Sequence, residues 1–338
     1  MDASTTVVRN ASDVESIADR IVSGEAKVDE IASFLRNLQE KGFDEDDLLA
    51  LARSFRKATV PVETAHSVVA DLCGTGGGTF RTFNISTVSS FVVAGAGVPV
   101  AKHGNRSNAG ASGSADVLEA LGANIMLRPE EAGRILDEEG ITFLFAPLFN
   151  PAMKNASAAR KQIGGKTIFN ALGPLLNPAM ARRRQLIGVY DEGLLDLISP
   201  ILERIGTERA LLVHGHPDID EVSSIGPTEA TLVRDGASKR LVIDPTGLGL
   251  QLARPEDISD RSPERSALLT REILAGGENG PAKDIVVLNA ACALWVFGRV
   301  GSIAQGKSLA ERTIDSGAAE EKLLRFVAAT HDVEARRP

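Results

Sequence analysis

Apolar residues recur at helical spacing over the first part of the chain. Val14, Ile17, Ala18 and Ile21 form one stripe, and Ile31, Phe34, Leu35 and Leu38 form a second. Leu48, Leu51, Ala52 and Phe55 form a third. Residues 12–57 therefore read as three short helices. Ser12 to Glu15 has the spacing of a capping box. Gly42 stands near the end of the second stripe, and acidic residues from Asp44 to Asp47 open the third, where the helix dipole favours them. From Val68 the period changes. Short apolar runs (68–72, 98–101, 143–146, 185–190, 210–213) alternate with segments of helical pattern (88–96, 115–121, 130–138, 194–205). That alternation predicts parallel βαβ units. Runs 229–233 and 240–243 are joined through Asp235-Gly236, a hairpin signal, and most of the remainder reads as helix (264–274, 283–297, 309–315, 320–328).

Residues 151–176 interrupt the alternation with a helix from Pro151 to Gln162 and another from Ile168 to Leu172. The expected fold is α/β: a mostly parallel sheet flanked by helices, with a small all-helical domain. Residues 1–66 and the inserted 151–176 make up the small domain; 67–150 and 177–338 make up the α/β domain.

Between two apolar runs lies Asp71-Leu72-Cys73-Gly74-Thr75-Gly76-Gly77-Gly78, with four glycines in five positions, and Asn84-Ile85-Ser86-Thr87 stands where a helix begins. A glycine turn feeding a helix N-terminus suits phosphate, since backbone N–H groups and the positive dipole end converge there. The spacing matches neither of the two common nucleotide fingerprints. Lys102-His103-Gly104-Asn105-Arg106 follows a strand end, and two cations beside a glycine suit a diphosphate. Asp220-Glu221 are adjacent carboxylates of the kind that hold Mg²⁺; the plain alternative is an exposed acidic pair. His214 and His216 lack further partners in sequence for a zinc set. Arg160, on the inserted helix, can pair with a carboxylate, or can be an ordinary surface arginine. Cys73 borders the loop without an identified activating base, which reads as packing.

Composition narrows the classes. The 338 residues are 43% hydrophobic and 24% charged, as in an ordinary globular protein. A net charge of −8 and a single Trp and Tyr argue against nucleic acid as the main partner. No apolar run approaches the ~18 residues of a membrane span. The start, Met1-Asp2-Ala3-Ser4-Thr5, lacks the regions of a secretory leader, and Cys73 and Cys292 do not make a disulfide framework. The expected location is cytoplasmic.

Taken together and in order, Gly74-Thr75-Gly76-Gly77, Asn84 to Thr87, Lys102 to Arg106, Gly113-Ser114-Ala115-Asp116 and Asp220-Glu221-Val222-Ser223 resemble the anthranilate phosphoribosyltransferase family. Pro151 to Asn155 and Thr167 to Pro174 extend the resemblance over nearly the whole chain. The resemblance implies transfer of a phosphoribosyl group from 5-phosphoribosyl 1-diphosphate to anthranilate, in tryptophan biosynthesis, with Mg²⁺ and in a homodimer. It implies a donor site of Gly74, Gly77, Gly78, Thr82, Asn84, Ile85, Ser86, Thr87, Lys102, His103, Gly104, Asn105, Arg106, Ser107, Asn108, Ala109, Gly110 and Ser114. It places Gly74, Asn105 and Arg160 at anthranilate, and Ser86, Asp220 and Glu221 at the metal. Lys102 and Arg160 are the expected catalytic pair.

Three positions depart from the family's usual pattern. Gly78 replaces an Asp, Ala111 replaces a Lys (with Ala109 where Ser is usual), and Asn150 replaces a His near the acceptor. Arg81 is the candidate substitute for the cation missing at Ala111. The alternatives are a relative with another aromatic acceptor, a nucleoside phosphorylase, and a non-catalytic paralogue that binds nucleic acid.

Overall fold

The computed structural model describes residues 11–107, 112–259 and 261–335. Three helices come first: α1 (Ala11–Ser23), α2 (Val28–Lys41) and α3 (Glu45–Lys57). Their stripes are buried as the periodicity predicts, with Val14, Phe34, Leu48 and Leu51 at 0% exposure. Asp44 caps α3 by accepting from the Asp47 amide at 2.9 Å. The capping box expected at Ser12 is not at a helix start, because α1 is already helical at Ala11.

The α/β part runs β1 (Val68–Gly74), α4 (Ile85–Gly95), β2 (Val100–Gly104), α5 (Ser114–Ala120), α6 (Pro129–Glu139), β3 (Ile141–Phe145) and α7 (Ala146–Phe149). The insertion follows: a 3₁₀ turn at Pro151–Ala156, then α8 (Ser157–Ile163) and α9 (Ile168–Leu172). The helix expected from Pro151 to Gln162 is therefore α-helical only in its second half. The chain continues through β4 (Arg182–Gly188), α10 (Gly193–Ile198), β5 (Thr207–Gly215), β6 (Thr228–Arg234) and β7 (Ala237–Ile243). Helices α11 (Pro255–Ile258), α12 (Pro263–Leu274), α13 (Pro281–Phe297), α14 (Ile303–Asp315) and α15 (Ala318–Ala335) complete it. The helix expected over 194–205 ends at Ile198 and breaks into 3₁₀ turns around Pro200, which lacks the amide a continuing helix requires. Strand β2 starts only at Val100, one residue past Pro99.

Among the described residues, seven strands form one sheet in the order β3-β2-β1-β4-β5-β6-β7. Strands β1 to β5 pair in parallel, and β6 and β7 add antiparallel through the hairpin at Asp235-Gly236. Successive residues of β5 face opposite sides. Leu211 and Val213 join the core containing α4 and α13, whereas Ala210 and Leu212 join the core that holds α1–α3 and the inserted helices. The inserted segment packs on the N-terminal helices: Phe55 and Phe169 meet edge to face at 5.5 Å, and Asn155 donates to Ile21 O at 2.8 Å. This core also takes in Cys73 near the end of β1 and Ile187 near the end of β4, so the helical layer reaches the C-terminal ends of those strands, beyond which such sheets hold ligands.

Candidate active site

Strand β1 ends at Gly74 and releases the glycine loop. Thr75 fastens the loop to β4: its amide donates to Gly188 O (2.9 Å), and its hydroxyl accepts from the Tyr190 amide (3.0 Å). Asp220 stands over the loop and accepts from the Gly76 amide at 2.8 Å. The approach is close enough to require glycine on both sides. A Cβ on Gly74 would lie 2.6 Å from Asp220 Oδ2, and a Cβ on Gly188 would lie 1.6 Å from Asp220 O. Gly188→Ala is therefore expected to cost about 1–3 kcal/mol of stability. Thermal melts check this; a wild-type melting temperature would mean that the approach is not needed.

Glu221 accepts from the Ser86 amide at 3.2 Å, in the first turn of α4. The helix N-terminus thus holds a protein carboxylate through this amide, while the Ile85 amide turns back to Phe83 O. Beneath Ser86 lies Lys102, only 4% exposed. Its ammonium donates to Leu72 O (2.7 Å) and to Ser86 Oγ (3.2 Å). Burial pulls the Lys102 pKa down, against the upward pull of Asp71, Cys73 and Glu221. Asp220 and Glu221 are partly open to the cleft but ringed by protein. Loss of water raises both, and Glu221 reaches about 8 with the Asp220 charge adding to the effect.

Two adjacent carboxylates held against their preference for water, beside a serine hydroxyl, form an all-oxygen donor set. That set fits a hard dication such as Mg²⁺. Among the described residues no group of three or more His, Cys, Asp or Glu could hold a metal, so the remaining ligands would be hydroxyl, water or substrate oxygens.

Sequence reasoning missed the residue that positions this pair. Asn289 is the buried amide in the otherwise apolar middle of α13. Its Oδ1 accepts from the Val222 amide, and its Nδ2 donates to Val222 O, both at 2.9 Å. The signal was present: a lone Asn within Ile285-Val286-Val287-Leu288-Asn289-Ala290-Ala291.

The second loop follows β2. His103 is buried, and desolvation holds it neutral, down to about 4. Its Nε2 meets Asn150 Nδ2 at 3.0 Å. Asn150, 3% exposed, also donates to Leu176 O (3.1 Å) and accepts from the Thr59 hydroxyl (2.8 Å). Its amide is fully engaged where three connections between the helical layer and the sheet meet. Asn105 caps its neighbour by accepting from the Arg106 amide (2.8 Å). Arg106 does not stand as a free cation: it pairs with Asp116 (3.0 Å) and Glu119 (2.8 Å) on α5. The Ser107 amide donates to Asp116, Ser114 Oγ accepts from Thr87 Oγ1 (3.0 Å), and the Asn84 side chain exchanges two hydrogen bonds with Ser112. Thr82 bridges to Ser259, tying the first loop to the C-terminal region. Gly78 approaches Asp218 O, and a Cβ there would lie 2.8 Å from it, so this conformation has no room for a side chain. Arg81 is exposed. Asn108, Ala109, Gly110 and Ala111 lie outside the described residues.

Arg160 reaches the first loop through one intermediary. It lies over the Phe169 ring (5.6 Å) and donates to Asn170 Oδ1 at 3.5 Å; Asn170 in turn donates to Thr75 O at 3.4 Å. Burial lowers its pKa. Cys73 is buried, and its thiol is pushed well up, first by desolvation and then by Asp71. That matches a packing role.

The site therefore brings together a glycine loop, a buried lysine, a carboxylate pair and an arginine from the helical layer. Residues 66–320 match the family described as "Glycosyl transferase family, a/b domain". Over 310 residues the chain is 47% identical to the anthranilate phosphoribosyltransferase of Moorella thermoacetica, covering 92% of this chain and 91% of that one. The chain belongs to the anthranilate phosphoribosyltransferase family. A second member, from Desulforudis audaxviator, is 44% identical over 318 residues, 94% of this chain and 91% of that one. Among solved structures of the family, that from Thermus thermophilus superposes with a TM-score of 0.90 at 35% identity over 96% of both chains. The Saccharomyces cerevisiae member, solved in complex with PRPP and Mg, gives 0.87 at 26% identity, covering 95% of this chain and 93% of that one.

Proposed function

We propose how this cleft carries out the family's reaction. The chain is an enzyme of tryptophan biosynthesis. It transfers the phosphoribosyl group of 5-phosphoribosyl 1-diphosphate to the amino group of anthranilate, giving N-(5-phosphoribosyl)anthranilate and diphosphate. The observation that carries the assignment of roles is the convergence of Lys102 and Glu221 on Ser86 in the first turn of α4.

In this reading the glycine loop, the α4 start, the end of β2 from Lys102 and the start of α5 at Ser114 receive the donor. Ser86, Asp220 and Glu221 would hold Mg²⁺, which when bound neutralises charge on the diphosphate. As the C1–oxygen bond breaks, its electron pair leaves with the diphosphate, and the buried Lys102 ammonium stabilises that charge from below. The aromatic amine is already a neutral nucleophile near pH 7, so orientation matters more than a strong base. Arg160 pairs with the acceptor carboxylate and aims the amine at C1. The helical layer, residues 1–66 with 151–176, acts as a small domain over the α/β part and excludes water that would hydrolyse the donor. The connections clasped by Asn150 are the hinge. The proposal includes a cytoplasmic homodimer; among the described residues no helix is long and apolar enough to cross a membrane.

Arg160 supplies the test. Arg160→Ala is expected to raise the anthranilate KM by about 10–100-fold, the effect of losing a charge-assisted carboxylate contact, with little change in the donor KM. Aniline, which lacks the carboxylate, should be a poor acceptor for the wild type, and the variant should no longer discriminate against it. Retained discrimination would remove Arg160 from the acceptor site.

A further inference from the structure

The inserted segment carries a lysine that the sequence reading did not select. Gly164 and Gly165 follow α8 with left-handed φ of 71° and 68° and turn the chain into Lys166. Lys166 O accepts from Gln39 Nε2 at 2.9 Å, which fastens this backbone to α2. The side chain runs over the glycine loop. A Cβ on Gly77 would meet Lys166 Cε at 3.4 Å and Cγ at 3.5 Å. The ammonium stands 4.2 Å from the centroid of the Tyr190 ring. Gly77 stands between Gly76, whose amide donates to Asp220, and Gly78, which packs on Asp218 O, so the Lys166 side chain faces the carboxylate loop as well. Among the described residues no acceptor bonds to Lys166 Nζ and no carboxylate lies within 4 Å of it.

A half-buried ammonium with three donors and only a ring face as partner has hydrogen-bonding capacity left for an anion. The anion this place serves is the one the glycine loop receives. Arg160 lies with Phe169 and Asn170, whereas Lys166 lies over Gly77 and beside the carboxylate loop, where the diphosphate is read to sit. Other cations are differently placed. Lys102 is beneath the site, Arg106 is engaged by Asp116 and Glu119, and residue 111 is alanine. We propose that Lys166 is a donor-site residue. Its ammonium moves from Tyr190 onto the diphosphate when the helical layer closes, and stays with that group as the C1–oxygen electron pair departs with it. No proton is transferred. The inference rests on the functional reading above and adds to it a cation delivered by the closing layer.

The test compares Lys166→Met and Lys166→Arg with the wild type, varying the donor at saturating anthranilate and Mg²⁺ and measuring inhibition by added diphosphate. Methionine retains the aliphatic cover of Gly77, so a purely packing role predicts no change. The proposal predicts that Lys166→Met raises the donor KM about tenfold and weakens diphosphate inhibition by a similar factor, with the anthranilate KM within about twofold. Lys166→Arg should recover most of the loss. An unchanged donor KM in Lys166→Met, or a rise confined to the anthranilate KM, overturns it. Wild-type protein that consumes no anthranilate would instead overturn the functional reading, so the two failures are separable.

Discussion

Asp220→Asn combined with Glu221→Gln lowers Mg²⁺-dependent turnover by about 10³-fold or more, yet leaves a folded protein that is more heat-stable without metal near pH 8. The first half follows from removing both carboxylates from the proposed donor set, which takes away several kcal/mol of charge stabilisation on the leaving group. The second half follows from their surroundings. Loss of water raises Glu221 to about 8, with Asp220 adding to the effect, against an ordinary value of 4.5. Between those values the folded protein holds a proton that the unfolded chain has released. Stability from neutral Glu221 is therefore fully present below about pH 4.5 and lost as pH rises through about 8. Glutamine keeps the shape without this titration, so the variant's melting temperature should fall less between pH 6 and 8.5. Mg²⁺ requires the carboxylate form, so in the wild type its apparent affinity should rise with pH up to about 8, by at most about tenfold per unit. Melts in EDTA and rates against Mg²⁺ at several pH values check both. An unaltered rate, or a variant that is less stable at pH 8 in EDTA, would reject the assignment.

Lys102→Met is expected to cut kcat by about 10²–10³-fold, the scale for losing one preorganised donor to developing negative charge. The same change should leave stability within about 1–2 kcal/mol of the wild type, because methionine fills similar volume and relieves the desolvation that pulls the Lys102 pKa down. Leu72 O would lose one partner, which sets a limit on the gain. The informative contrast is with Arg160→Ala, where the loss should fall on the anthranilate KM. If Lys102→Met unfolds the protein, Lys102→Gln retains a donor to Leu72 O and tests the charge alone. A kcat within threefold of wild type in both variants would leave Lys102 as a structural residue.

Elements with local signals were legible in the sequence. Apolar stripes located α1–α3, alternation located the parallel strands, and Asp235-Gly236 located the hairpin, where Asp235 takes φ 53° and Gly236 φ 74°. Glycine spacing located the first loop, and adjacency located Asp220-Glu221. Boundaries slipped where charge or proline obscured the pattern: β4 begins at Arg182, ahead of the apolar run, and α10 stops short of Pro200. What was not legible depends on partners distant in sequence. Glu221 meets the Ser86 amide 135 residues away, Asn289 clamps Val222 from α13, and Lys166 crosses to Gly77 from the insertion. Residue type alone does not announce such pairs. Asn150 is a further case: its amide bonds to Thr59, His103 and Leu176, which come from three separate parts of the chain.

Joining of anthranilate to the phosphoribosyl donor in this cleft is measured most directly by following anthranilate fluorescence with purified protein, donor and Mg²⁺. The expected result is a fluorescence loss that requires all three, stops on addition of EDTA, and is absent in the Asp220→Asn, Glu221→Gln double variant. Fluorescence that stays constant with wild-type protein across donor, acceptor and metal concentrations would contradict it.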